Sequence, residues 1–475
     1  MTPKQIALFA IGPLGGSCLG LVTLPLVTWY FSQEDVGRMA MLQVTLSFST
    51  LLFSLGLDQA YVREFHQSHN QPALLKSVIL PGLVFLLSTL AVLLTMGGAV
   101  SKWLFDVSSL QLSVLVAIAL LASFISRFLS LVLRMNERGL AFSMSQVVPK
   151  LLLLVIIIGY VLLDGAKNLT NLVAANTAAI ALVSVVLVWN TRNEWIEGLR
   201  HQLDLAALRE LLCFGLPLIL GGIAFWGLTA TDKVFLRMFS SYEQLAIYSV
   251  AVSFAAAATI LQSVFSTVWA PTVYKWVSKG GGIENIHRAS RYILLCVVVL
   301  FSLAGLFSWV ITIFLPSEYA SVQWLLISCL GYPLLYTLSE TTVVGIGISK
   351  RSVFAMAAAF LAFAVNLFGN WLLIPKFGAA GAAISTCGSF LLFLVARTEF
   401  SCYLWKSFPR KLIYCYSILV VSGAILSTLA AGRAGWLAHA FWALVLLSTI
   451  FTFRAEIVEV WRFIRAHVTG RVRVV

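Results

Sequence analysis

Eight ionisable side chains fall inside long apolar runs: Asp58, Arg127, Lys150, Asp232, Lys233, Glu340, Arg397 and Glu399. A charge left facing hydrocarbon costs about 3 kcal/mol or more, so each must meet a partner, a wet cavity or an interface. Lys150 lies about nine residues inside its run, roughly 14 Å at the helical rise, too deep for its head to snorkel with ease. Arg127 is about six residues deep, and Arg134 follows it on the same helical face. These cations would line a cavity between the fourth and fifth runs, and Lys233, beside Asp232, adds another. A cationic cavity in a low-dielectric slab attracts an anion such as phosphate or pyrophosphate. Structural ion pairs, Lys150 with Glu340 or Lys233 with Asp232, are the other arrangement that satisfies the same residues. Asp58, Arg397 and Glu399 lie near the ends of their runs, where snorkelling accounts for them.

Other chemistry is not written in the chain. There is no Walker A loop, no HExxH, no nucleophile elbow and no paired DxD, so no ATPase or hydrolase is expected and the protein is read as a non-enzyme. The Gly280-Gly281-Gly282 run lacks the GK[ST] ending of a phosphate loop and reads as a turn. The seven cysteines form no CxxC pair and sit in or just beyond apolar runs. They read as small hydrophobes, so no metal site, disulfide framework or cofactor is expected. Trp226, Tyr248, Trp269 and Tyr274 could stack on sugars, although most membrane aromatics anchor at the interface.

The elements that position these groups follow from composition. Of 475 residues, 60% are apolar and 11% charged, far from the balance of a water-soluble chain of this size. The chain is therefore read as an all-α polytopic membrane protein. A helix needs roughly 20 apolar residues to cross about 30 Å of hydrocarbon. About fourteen such runs occur, from 5–31 through 412–430 and 436–453, which places both termini on one side. The first is too long for a cleaved signal sequence and reads as an uncleaved membrane helix.

The excess of 32 Lys and Arg over 19 Asp and Glu would suggest nucleic acid in a soluble protein. Here it follows the loops. With the N-terminus inside, 22 basic residues fall in inside loops and 6 outside, and Arg127, Lys150, Lys233 and Arg397 make up the 32. N- and C-termini are placed in the cytoplasm, and no nucleic-acid partner is expected. No connection exceeds the 22 residues of 191–212. That argues against a membrane glycan polymerase, which would need a long outer loop to carry its catalytic groups.

A weak repeat is visible. GPLGG at 12–16 and GLPLILGG at 215–222 each open a helix that closes on Phe-Ser, at Phe31-Ser32 and Phe239-Ser240, 208 residues apart. Six helices per repeat gives two pseudo-symmetric lobes of one orientation, which normally enclose a cavity opening to alternate sides. The organisation expected is a six-helix lobe at 1–190, an amphipathic cytoplasmic linker at 191–212 with Asp204 as a cap, a second lobe at 213–400, and a helix pair with a basic cytoplasmic tail at 401–475.

Several stretches, taken in order, resemble a known family. VGRMAMLQVTLSFSTLLFSLGLDQAYVREF (36–65), FGLPLILGGIAFWGLTATDKVFLRMFSSYEQLAIYSVA (214–251), VWAPTVYK (268–275) and FGAAGAAISTC (377–387) resemble the Wzx-type flippases of the MOP exporter superfamily. There an Asp followed by Arg is usual, where this chain has Asp232-Lys233. The resemblance implies a MATE-like fold, a bacterial inner-membrane location, and transfer of undecaprenyl-pyrophosphate-linked oligosaccharide from the cytoplasmic to the periplasmic leaflet. It also implies lipid-linked oligosaccharide, membrane lipids and glycan polymerase machinery as partners. Arg127, Lys150 and Lys233 would attract the head group, Asp232 would orient Lys233, and Arg63, from GLD-x-A-x-V-R, would gate the cytoplasmic mouth. Within the superfamily, a lipid II flippase and a drug/cation antiporter are the alternatives. The first typically has an Arg–Asp pair where this chain reads FSQEDVGRM, and the second would want an acidic residue in its first helices, where 5–31 has none.

Overall fold

A computed structural model describes residues 3–278, 282–433 and 435–468, and among them every regular element is helical. Apolar residues surround most of these helices, as expected where lipid replaces water and each backbone group must bond within its own segment. The chain divides into two compact units, Met1–Ser253 and Phe254–Val475.

The first unit opens with α1 (Pro3–Tyr30), α2 (Gln33–Phe53), α3 (Leu57–Glu64), α4 (Gln71–Thr95) and α5 (Ala99–Phe105). It continues through α6 (Leu110–Met135), α7 (Gly139–Leu162), α8 (Leu169–Asn190), the short α9 (Arg192–Arg200), α10 (Leu205–Phe239) and most of α11 (Tyr242–Ala255). Side-chain caps start five of them. Ser32, Asn70, Ser109, Asn168 and Asp204 each accept a hydrogen bond from a first-turn backbone N–H. Ser32 thus separates the first two spans at the predicted Phe-Ser break. The helix α1 packs along α7, α6 along α8, α9 on α4, and α10 on α2 and α3. Close approach of α1 and α7 depends on small residues: a methyl group at Gly12 would stand 3.0 Å from Ser143 Cα.

The second unit contains α12 (Thr259–Ser278), α13 (Ile283–Phe307), α14 (Val322–Cys329), α15 (Gly331–Thr342), α16 (Val344–Ile348), α17 (Ser352–Phe377), α18 (Ala379–Leu404), α19 (Lys411–Ala430), α20 (Trp436–Thr452) and α21 (Arg454–Val468). The pair α17 and α18 forms its tightest packing, with α15 against α18 and α13 against α20. Gly305 receives the ring of Trp442, whose indole N–H donates to Ser427 Oγ at 3.1 Å.

Among the described residues, thirteen helical segments are long and apolar enough to cross a membrane, and a fourteenth span is reached only by joining α20 to the start of α21 across a 73° bend. The last predicted run is the exception because α20 has 17 residues, about 26 Å at the helical rise. Gly280 and Gly281 of the glycine run, and Arg471 and Arg473 of the basic tail, lie outside the described residues. The repeat-based limits, 1–190, 191–212, 213–400 and 401–475, stand as our proposal for how the chain is organised.

Candidate functional site

The site in the first unit begins where the α2 span ends. After Phe53 the helix stops, and Leu55 and Gly56 both take positive φ, 53° and 67°. Gly56 is required twice over. Its conformation suits glycine, and a methyl group there would sit 2.2 Å from the carbonyl oxygen of Gly215 on α10. The turn starts α3 in a new direction and sets Asp58 facing α6.

Asp58 is buried, and Arg127 donates to its Oδ2 through Nε at 3.2 Å and Nη2 at 2.6 Å. Gln59 Nε2 donates to the same oxygen at 3.3 Å. The Asp58 side chain is 9% exposed and that of Arg127 42%, so the carboxylate is the anchored partner and the guanidinium faces open space. That space is a cavity of about 500 Å³ among α2, α3, α6, α7 and α8. Its polar wall includes Gln43, Ser47, Thr50, Ser54, Ser123 and Ser145. Ser47, Thr50, Ser54 and Ser145 donate their protons to carbonyls of their own helices, those of Val44, Leu46, Leu51 and Phe142. Three residues beyond Asp58, Tyr61 is buried on α3, outside the spans. Burial, then the Glu194 carboxylate, pushes its phenol above the ordinary range.

The other expected site residues scatter around this cavity. Lys150 donates to the Gly16 carbonyl of α1 at 2.7 Å and is exposed. Glu340 has its ion pair with Arg397, within the second unit. Arg134 is exposed and is not part of the cavity lining. Asp232 is fully buried and accepts the Tyr248 hydroxyl proton, and Lys233 is half-buried one residue on. Arg63 pairs with Glu64 at 3.2 Å and lies 4.3 Å from the Phe214 ring centre. Of the candidate sugar-stacking rings, Trp226 donates to Ser47 Oγ at 3.0 Å, whereas Tyr248 is spent on Asp232.

The second unit has its own ion pair. Arg397 on α18 meets Glu340 on α15 at 2.8 Å, donates to Ser339 Oγ at 2.7 Å, and lies over the rings of Phe393 and Tyr336. Both charges border a cavity of about 340 Å³ with Trp269, Tyr274 and Lys350. Trp269 itself is buried and donates to the Glu340 carbonyl at 2.9 Å. Glu399 bonds Arg410 and the Tyr414 hydroxyl, both at 2.7 Å. For Asp58 and Arg397 a buried ion pair thus replaces snorkelling, whereas the Glu399 pair is exposed near the end of its helix. Each is held by a partner of opposite charge on another segment, which is cheaper than solvating a charge from within the slab.

The family model described as "Polysaccharide biosynthesis protein" matches residues 4–277, more than half of the chain. The chain belongs to the polysaccharide biosynthesis protein family. Its fold is that of a MATE-like MOP exporter, as the resemblance implied. The lipid II flippase MurJ in an inward closed conformation superposes with a TM-score of 0.70 at 15% identity, covering 95% of this chain and 100% of that one. A mutant MATE transporter from Vibrio cholerae gives 0.50 at 13% identity, covering 92% and 97%. At such identities the likeness shows the fold alone. No curated protein matches the sequence. As a member of the polysaccharide biosynthesis family, the protein is a multi-pass membrane protein, and the two solved structures named here that share its fold are a flippase and a transporter. Within that frame, the Asp58–Arg127 and Glu340–Arg397 pairs are what sequence reading missed. Each joins helices far apart in the chain, and only the unexplained charge of each partner signalled it.

Proposed function

We propose that the protein is a flippase that moves undecaprenyl-pyrophosphate-linked oligosaccharide repeat units from the cytoplasmic to the periplasmic leaflet of the bacterial inner membrane by alternating access. One observation carries the reading: a cavity of about 500 Å³, walled by hydroxyls and an Arg–Asp pair, among membrane-spanning helices. Polar walls at membrane depth are costly unless a polar cargo or water meets them. The family description supports a glycan cargo, and the lipid II flippase of similar fold supports a lipid carrier whose tail stays in the bilayer.

In this reading Lys150 and Lys233 draw the pyrophosphate, Asp232 orients Lys233, Arg127 borders the chamber, and Arg63 gates the cytoplasmic mouth. N- and C-termini are cytoplasmic, and a glycan polymerase consumes the product. A deletion strain accumulates lipid-linked repeat units on the inner face and loses surface glycan. Restoration by the native gene, with failure of an Arg127→Ala/Lys150→Ala variant that still inserts, is the expected result. Normal glycan in the deletion strain overturns the function, and normal glycan from the double variant overturns those two residues.

A lipid II cargo is the second reading, favoured by the 0.70 TM-score to MurJ. Rescue of a lipid II flippase depletion strain would select it.

A further inference from the structure

We propose that the cavity of the first unit is a subsite for uncharged, hydroxyl-rich sugar residues and rejects the phosphate part of the same cargo. The inference rests on the lipid-linked glycan reading and specifies which portion of the cargo enters this chamber. It follows from where the protons are. A serine or threonine hydroxyl has one proton to donate and two lone pairs. The protons of Ser47, Thr50 and Ser145 are already given to Val44, Leu46 and Phe142 carbonyls of their own helices, at 2.8, 2.8 and 2.6 Å. Ser123 lies 3.3 Å from Thr50 Oγ1, whose proton is committed, so Ser123 is the donor there. Gln43 donates to Asn176 Oδ1 at 3.2 Å, which leaves its own carbonyl oxygen as an acceptor. Ser126, whose hydroxyl has no partner, and the remaining Arg127 N–H groups are the donors left on this wall; the rest of it offers lone pairs.

Charge points the same way. Asp58 neutralises Arg127 and takes two of its N–H directions, so the one cation among the lining residues has no net pull on an anion. The lipid-linked pyrophosphate, a diester with acceptors and no proton at neutral pH, would set lone pairs against most of this wall and meet no net positive charge. A sugar brings a proton on every hydroxyl, matching an acceptor wall, and the remaining guanidinium N–H groups can reach its ring or carbonyl oxygens. The volume of about 500 Å³ lies within the usual range for small-molecule sites.

The test uses the full chain in lipid nanodiscs, titrated with methyl glycosides of neutral hexoses and N-acetylhexosamines and, separately, with sodium pyrophosphate. Binding is read from the fluorescence of Trp226, whose indole bonds the cavity hydroxyl of Ser47, against a Trp226→Phe control. Glycosides are expected to change the signal and pyrophosphate to leave it unchanged. Thr50→Val with Ser145→Ala keeps the shape, removes two acceptors, and lowers glycoside affinity about tenfold. Asp58→Asn releases the Arg127 charge and creates pyrophosphate binding that the native chain lacks. Pyrophosphate binding to the native chain, no response to any glycoside, or unchanged glycoside affinity in the Thr50/Ser145 variant overturns the proposal. A deletion strain with normal surface glycan would instead sink the flippase reading, whatever the titrations show.

Discussion

Arg127 grips a single oxygen of Asp58 with two of its nitrogens, although 69 residues separate them in the chain. The pair ties α3, the short helix that follows the α2 span, to α6. An isolated surface pair adds little to stability, whereas leaving one member of a buried pair alone is costly.

Because only Asp58 is buried, the two single substitutions are unequal. Arg127→Gln strands a buried carboxylate and should cost about 2–3 kcal/mol, while Asp58→Asn leaves a guanidinium that can turn to water and should cost about half that. The double variant should recover most of the loss. Thermal denaturation of the purified protein in detergent closes the cycle, and additive losses would show that the pair is not a stabilising unit.

Gly56 and Gly215 should be intolerant of a single methyl group. At Gly56 the added atom meets the Gly215 carbonyl at 2.2 Å in a left-handed backbone, and at Gly215 it meets the Leu55 carbonyl at 2.7 Å. Either alanine should cost more than about 2 kcal/mol and loosen α3, raising proteolysis between residues 54 and 70. Native protease resistance in both would refute the close approach.

In the second unit, Arg397→Lys should be nearly as damaging as Arg397→Ala. Lysine keeps the charge but loses the fork that reaches Glu340 and Ser339 together, and the flat surface lying over Phe393 and Tyr336. A melting temperature for the lysine variant close to native would mean that charge alone matters there.

The bend between α20 and α21 makes a prediction about sidedness. Reporter fusions at residue 433 and after residue 468 should fall on opposite faces if α20 crosses with help from the first turns of α21. Equal reporter activity at the two positions would leave thirteen crossings and move the C-terminus to the other face.

Sequence reading recovered the helical class and nearly all the spans, because run length and composition act one helix at a time. It could not see partners. Asp58 read as an end-of-helix charge until the turn at Leu55–Gly56 was known, and that turn depends on Gly215 more than 150 residues away. Arg127 was expected to pull on an anion, and the structure gives it a buried counter-charge. The fourteenth span is bent for a local reason: by 73° after Thr452, where Arg454 and Glu456 begin an amphipathic turn that a run-length argument does not weigh.

The hydroxyls of Ser47, Thr50, Ser54 and Ser145 already have homes for their hydrogens within their own helices. Departure of a guest thus strands none of these four donors. Walls whose hydrogens are so largely spoken for hold a passenger only loosely, which is what a conveyor needs and a storage vault would not.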